Sequence, residues 1–174
     1  MSRGKTLIAA FCLVLALAIA GCGSDDSSTT DAATDDTTAS AESSSTSTDL
    51  SKKPEITVPD GPPPKELVEN EIVEGDGEEV ILGSKVTVQY VGAGYETGEE
   101  FDASWDRGEP FTFSIGDREV IEGWDQGLRG MKVGGRRELI VPPELAYGPA
   151  GAPPAIGPNE TLIFVVDLVK VVQP

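Results

Sequence analysis

Two aromatic side chains stand out as residues that could take part in binding or catalysis. Trp124 lies between Val120 and Leu128 at a spacing of four residues, which predicts a short helix with one apolar face. By itself, Trp124 indicates a core side chain more readily than a platform for a ligand. Tyr147 is the residue that the sequence alone most favours as functional. It lies in a loop rich in Gly and Pro, where an aromatic ring has little packing reason to occur.

The residue types needed for several kinds of covalent chemistry are missing. The chain has no histidine among its 174 residues, which excludes Ser-His-Asp triads, Cys-His dyads, HExxH zinc sites and histidine general bases. Its two cysteines, Cys12 and Cys22, precede the folded part, so no disulfide framework is expected there. The formal net charge of −17 argues against a nucleic-acid partner, because phosphate binding needs clustered Lys and Arg.

The first residues have the pattern of a secretory signal peptide. Arg3 and Lys5 precede an apolar run that is too short and wrongly flanked for a comfortable membrane span. The string IAGC at 19–22 resembles the lipobox of bacterial lipoproteins. That resemblance implies a signal peptide over residues 1–21 and a lipidated Cys22, whose acyl chains would hold the protein to a membrane. An ordinary signal peptide or an uncleaved anchor is the alternative.

Residues 22–64 have the composition of a disordered tether. They are nearly all Ser, Thr, Ala, Asp and Pro, and such a segment cannot bury enough apolar surface to offset its ordering entropy. About 40 flexible residues reach on the order of 35 Å. The sequence therefore predicts one folded domain, residues 65–174, at the end of a long linker.

Alternating apolar and polar residues predict strands through most of this domain. Turn signals rich in Gly, Asp and Pro separate the strands. The predicted strands are 67–73, 80–82, 85–91, 99–103, 111–115, 136–141 and 161–171. With the helix inside 119–131, the pattern predicts an α+β fold in which a curved antiparallel sheet packs on one short helix.

Two glycines in the predicted helix need a structural reason. Gly123 and Gly127 each cost about 1 kcal/mol relative to Ala in a helix. Together with Val120, Trp124 and Leu128 they form one stripe. We expect these small residues to bring the helix backbone close to the sheet while the indole fills the gap beside them.

Seven strings, in order and at spacings that need no large insertion, resemble the FKBP-type peptidyl-prolyl cis-trans isomerases. They are VQYVG at 88–92, GEEFDAS at 98–104, PFTFSIG at 110–116, VIEGWDQGL at 120–128, MKVG at 131–134, PPELAYG at 142–148 and TLIFVVDL at 161–168. The resemblance implies a half-barrel sheet wrapped around the helix, with a shallow apolar pocket between them.

The same resemblance implies roles for individual residues. Trp124 would form the pocket floor, the Ile121 N–H and the Tyr147 hydroxyl would donate to ligand carbonyls, and Asp102 would lie at the pocket edge. These four are the predicted catalytic residues. The predicted substrate-binding residues are Tyr90, Phe101, Phe111, Val120, Ile156 and Phe164. An ion pair between Arg107 and Asp102 is a further possibility. The loop 149–160 lacks the histidine that family members often carry, which implies a different choice of ligands.

The implied activity is rotation about X-Pro peptide bonds. The barrier of about 18–20 kcal/mol comes from amide resonance, and no bond is broken, so neither a cofactor nor a metal is expected. The implied partners are proline-containing polypeptides and macrolides such as rapamycin, with the membrane contacted only through the lipid anchor. We expect a monomer outside the cytoplasm, anchored to the bacterial cell membrane. Two alternatives remain open: a proline-peptide docking module, and a non-catalytic surface lipoprotein.

Overall fold

An antiparallel sheet and two short helices make up the fold of the described residues. The strands are β1 Val68–Val73, β2 Lys85–Gly94, β3 Glu100–Ala103, β4 Phe111–Ser114, β5 Arg136–Val141 and β6 Leu162–Val172, and the helices are α1 Ser104–Arg107 and α2 Glu122–Gly127. Five strands lie in the order β1-β5-β6-β2-β3, and β4 pairs with β2. Single 3-10 turns follow β5 at Pro143–Leu145 and Gly148–Ala150. The predicted α+β fold with a curved antiparallel sheet is confirmed.

The computed structural model describes residues 46–174, which belong to one compact unit. The predicted signal peptide, Cys22 and most of the predicted tether lie outside the described residues. Within the described part of the chain, no helix has both the length and the apolar character needed to cross a membrane.

The two central strands follow the alternation seen in the sequence. Val86, Val88 and Tyr90 on β2 point to one face of the sheet and enter the main core. The partner strand β6 pairs with β2 along its whole length, with Tyr90 opposite Val166. Because both faces of β6 are covered from Leu162 to Leu168, this strand is almost continuously apolar rather than alternating.

The glycines of α2 are explained by a close approach to β5. A Cβ on Gly123 would lie 2.4 Å from Val141 Cγ1, and a Cβ on Gly127 would lie 2.7 Å from Leu139 Cδ2. The prediction that these glycines bring the helix against the sheet is confirmed. The helix itself is shorter than the apolar stripe, because Leu128, although fully buried, follows its last residue.

The structure differs from the predicted elements in two places. Residues 80–82 form no strand: Val80 is buried, but Ile81 and Leu82 are exposed and lead into a turn at Gly83, where φ is +84°. A three-residue apolar run is too short to separate a strand from a packed loop. The one-turn helix α1 was not predicted, because four residues are too few for helical periodicity.

The structure describes the last part of the predicted tether, residues 46–64. Residues 46–64 contain no helix or strand, yet part of this segment lies against the sheet face opposite α2. Ile56 and Val58 pack on that face, and the buried guanidinium of Arg136 binds two backbone carbonyls of the segment. The sequence did not predict these contacts, because the Ser- and Thr-rich composition lowers the average hydrophobicity of residues 22–64.

Candidate active site

A shallow cavity of about 180 Å³ opens at one end of α2 and is lined mainly by aromatic side chains. The residues that line it are Tyr90, Phe101, Asp102, Phe111, Glu119, Val120, Ile121, Trp124, Tyr147 and Phe164. These residues come from β2, β3, β4, β6, α2, the loop before α2 and the loop after β5. The cavity therefore brings together residues separated by more than half of the described chain, including all of the predicted catalytic and substrate-binding residues except Ile156.

Trp124 lies at the base of this cavity, with only 4% of its surface exposed. Its ring meets Tyr90 at a centroid distance of 5.0 Å and Phe164 at 5.3 Å, both edge to face. Phe113 supports the indole from the core at 5.6 Å. Edge-to-face contacts of this kind stabilise aromatic clusters beyond the area they bury. The indole is thus held rigidly, and its environment is dry and apolar.

One edge of the cavity carries a polar network around Tyr90. The Tyr90 hydroxyl donates to Asp102 Oδ2, and Arg107 Nη2 donates to the same hydroxyl at 2.8 Å. Arg107 Nη1 also binds Asp102 Oδ1, which confirms the predicted ion pair between these two residues. Burial, together with the hydrogen bond to Asp102, raises the pKa of Tyr90, although Arg107 opposes the shift. The phenol therefore stays protonated and keeps donating to Asp102.

Besides the buried indole Nε1 of Trp124, two donors at the cavity rim have no acceptor among residues 46–174. Ile121 precedes α2, and its carbonyl accepts from Trp124 N at 3.0 Å and Asp125 N at 3.3 Å, while its own N–H is unpaired. Such free N–H groups are expected at the start of a helix. The Tyr147 side chain is 42% exposed, and its hydroxyl has no hydrogen-bond partner in the same range. A ligand carbonyl could accept from either group.

Ile156 is the one predicted binding residue that the structure places elsewhere. It is 5% exposed, belongs to the main core, and does not line the cavity. Its backbone pairs with Ala152 in a small bridge that folds the Pro-rich loop inward, so its side chain is used for packing. Glu119 lines the cavity but was not predicted; its Oε2 accepts from Ser114 N at 2.8 Å. The sequence signal that could have identified Glu119 is its position next to Val120, a predicted binding residue.

A larger depression of about 640 Å³ shares only Val120 with this cavity. Arg118, Glu122, Gln126 and Arg129 contribute to its lining. It contains no aromatic ring, so the smaller cavity is the better candidate for binding an apolar group such as a prolyl ring.

Comparison with known proteins agrees with this geometry. The sequence model of the FKBP-type peptidyl-prolyl cis-trans isomerase family matches residues 77–169. An FK506-binding protein of Streptomyces anulatus is 58% identical over 121 residues, which cover 69% of this chain and 98% of that protein. A probable FK506-binding protein of Corynebacterium glutamicum is 49% identical over 119 residues, covering 68% and 98% of the two chains. The crystal structure of AtFKBP13 is similar at a TM-score of 0.58 and 40% identity, covering 63% of this chain and 96% of that one.

Proposed function

The chain belongs to the FKBP-type peptidyl-prolyl cis-trans isomerases, and from that premise we propose that it is a lipid-anchored isomerase of secreted or surface proteins. Members of this family bind proline-containing substrates, and they bind macrolides. The observation that carries the site assignment is the aromatic cavity over Trp124, with unpaired donors from Ile121 and Tyr147 at its rim.

The cavity suits rotation about an X-Pro bond for an electrostatic reason. Catalysis requires the site to bind the twisted amide better than either planar isomer. Twisting removes the resonance that makes the amide polar. The twisted form therefore loses less solvation free energy than the planar form when it enters a dry site. Tyr90, Phe111, Trp124 and Phe164 provide such a site. A millionfold acceleration needs about 8 kcal/mol of this preference.

In the proposed complex the prolyl ring rests on the indole of Trp124. The Ile121 N–H and the Tyr147 hydroxyl donate to carbonyls on either side of the ring, which fixes the peptide while the amide turns. Asp102 bounds the cavity at its polar edge, where Tyr90 and Arg107 hold its carboxylate in place. Each of these roles needs a positioned group and none needs a titrating base, which agrees with the absence of histidine from the chain.

The proposed location outside the cytoplasm is supported by the sequence of the first residues. Arg3 and Lys5, the apolar run and the lipobox-like end at Cys22 form a continuous export and lipidation pattern. Proteins that fold after export cross slow X-Pro isomerisation steps, which take tens to hundreds of seconds without catalysis. A monomeric isomerase on a linker could reach accessible prolines in such chains.

Metabolic labelling tests the proposed lipid anchor. Labelled palmitate should enter the chain in bacterial cells. Cys22→Ser should abolish the label, whereas Cys12→Ser should leave it.

A protease-coupled assay on the full-length chain tests the enzymatic function. Peptides with Leu-Pro or Phe-Pro should isomerise faster in proportion to protein concentration, and rapamycin should inhibit the reaction. Binding of proline peptides without acceleration would favour the docking module over the enzyme. If the chain neither binds proline peptides nor accelerates their isomerisation, the enzyme and the docking module are both contradicted. The non-catalytic surface lipoprotein then remains.

A further inference from the structure

Residues 46–59, which we call the strap, are fixed to the outer face of the sheet by a buried arginine. Arg136 has no exposed surface, and its Nη1 and Nη2 donate to the carbonyls of Ser47 at 2.5 Å and Lys52 at 3.1 Å. Asp167, opposite Arg136 on β6, accepts from the same guanidinium. Release of these two carbonyls would leave buried donors of a charged group without partners, which is costly. The backbone just before Lys53 is therefore held firmly.

A second anchor lies on the other side of Lys53. Ile56 and Val58 pack against a small apolar cluster on this face that includes Tyr95 and Ile140. Pro59 O accepts from the Tyr95 hydroxyl at 3.4 Å. The strap is thus attached before and after Lys53. The match to the family model begins at residue 77, after the end of the strap.

From this fixed position Lys53 joins β3, which forms part of the pocket wall, to α1. Its ammonium lies 2.8 Å from Glu100 Oε1 on β3, and 2.8 and 2.9 Å from the two carboxylate oxygens of Asp106 on α1. Hydrogen bonds to Asp106 and then Glu100 raise the pKa of Lys53, and the bond from Lys53 lowers the pKa of Asp106. Without the ammonium, two carboxylates that meet at one point would repel each other.

Both carboxylates are next in sequence to groups that form the cavity. Glu100 precedes Phe101, which lines the cavity, and Asp106 precedes Arg107, which holds Asp102 and Tyr90. Any separation of β3 from α1 would move the Phe101 ring and loosen the Arg107–Asp102 pair. The contact at Lys53 therefore stabilises the shape of the cavity, although it lies on the opposite face of the sheet.

We propose that Lys53 is a positioning residue of the isomerase pocket, which holds β3 and α1 together so that Phe101 and Asp102 keep their places in its wall. The proposal rests on the proposed function, because it assigns a role at the same site. It makes the last part of the linker a component of the isomerase unit rather than a passive tether.

Lys53→Ala in the full-length chain tests this proposal. We expect KM for a proline peptide to rise about fivefold with little change in kcat, because a displaced wall weakens binding of ground state and transition state alike. Lys53→Arg should keep the wild-type KM, since a guanidinium can reach both carboxylates. Lys52→Ala is the matched control, because the Lys52 side chain pairs with Asp49 on the surface and with no other side chain among residues 46–174. The defect of Lys53→Ala relative to wild type should shrink in high salt, which screens the repulsion between the carboxylates.

Backbone amide shifts of Phe101 and Asp102 in the ligand-free chain give a readout that does not depend on activity. These chemical shifts should change in Lys53→Ala and should remain at their wild-type values in Lys52→Ala. Unchanged shifts and unchanged KM in Lys53→Ala, with an active wild-type chain, would overturn the proposal. An inactive wild-type chain would contradict the proposed function instead, and the amide shifts would still report whether Lys53 positions the wall.

Discussion

Arg107 contacts Tyr90 in two ways at the edge of the cavity. Its Nη2 donates to the Tyr90 hydroxyl at 2.8 Å, and its guanidinium carbon lies 5.5 Å from the centroid of the Tyr90 ring. The phenol in turn donates to Asp102, so one tyrosine links the cation to the carboxylate. The ring of the same residue packs edge to face on Trp124. Tyr90 thus joins the polar edge of the site to its apolar floor.

Tyr90→Phe should separate these two roles. The ring contact with Trp124 remains, while the acceptor for Arg107 and the donor to Asp102 are lost. A hydrogen bond to a charged group contributes about 1.5–3 kcal/mol when it is well shielded, and partial exposure lowers this value. We therefore expect kcat/KM to fall about fivefold in the protease-coupled assay. An unchanged kcat/KM would show that the polar edge plays no part in catalysis.

The raised pKa of Tyr90 has a consequence for stability at high pH. Because the phenol ionises in the unfolded chain near pH 10 but at higher pH in the folded chain, stability is unaffected below pH 10 and falls as pH rises above it. An ultraviolet titration of the folded chain should show a late tyrosine ionisation step at a pH above 10. That late step should be missing in Tyr90→Phe, and its persistence there would assign the step to another tyrosine.

Tyr147→Phe should weaken ligand binding without affecting folding. The hydroxyl is solvent-accessible and unpaired within the described residues, so its loss leaves the free energy of unfolding unchanged. A lost hydrogen bond of about 1 kcal/mol corresponds to roughly a fivefold weaker affinity for rapamycin. Calorimetry measures this affinity, and urea unfolding serves as the control. Trp124→Ala should weaken binding further; unchanged affinity in both variants would contradict the assignment of the site.

Gly123→Ala should destabilise the fold even though Ala is the better helix former. The new Cβ would lie 2.4 Å from Val141 Cγ1, and overpacking of this kind costs about 1–3 kcal/mol. Helix propensity returns only about 1 kcal/mol. Urea unfolding should show a net loss, which Val141→Ala should partly reverse in the double variant. Gln126→Ala, on the exposed side of α2, is the control and should change stability little. A stabilised Gly123→Ala would show that the helix can move away from the sheet.

Arg136→Ala should destabilise the chain more at pH 7 than at pH 4. It leaves Asp167 buried without its cation, a change that costs about 3–5 kcal/mol in other proteins. Burial already raises the pKa of Asp167 above its unfolded value, and loss of the opposing guanidinium raises it further. The charged form therefore costs stability, and this cost grows as pH rises from the unfolded pKa through the folded pKa. Urea unfolding at the two pH values measures the difference; equal losses would show that Asp167 does not titrate with folding.

Much of this protein follows from short-range patterns in the sequence. The alternation around Tyr90 and the spacing around Trp124 predict a strand and a helix, since residues a few positions apart decide which face is apolar. Gly123 and Gly127 predict the close approach of helix and sheet, and the structure confirms it. The resemblance to a known family, which rests on seven sequence strings in order, predicted nearly all of the residues that line the cavity.

Other features depended on packing between distant parts of the chain. Ile156 was predicted in the pocket, but the inward fold of its loop places it in the core. Lys53 was assigned to a tether, although it lies against Glu100 and Asp106. Such contacts depend on strand register and on which surface a loop covers, and no local pattern encodes either. The sequence by itself determined the elements and the chemistry they could support, whereas tertiary packing decided which side chains surround the cavity and which hold it in shape.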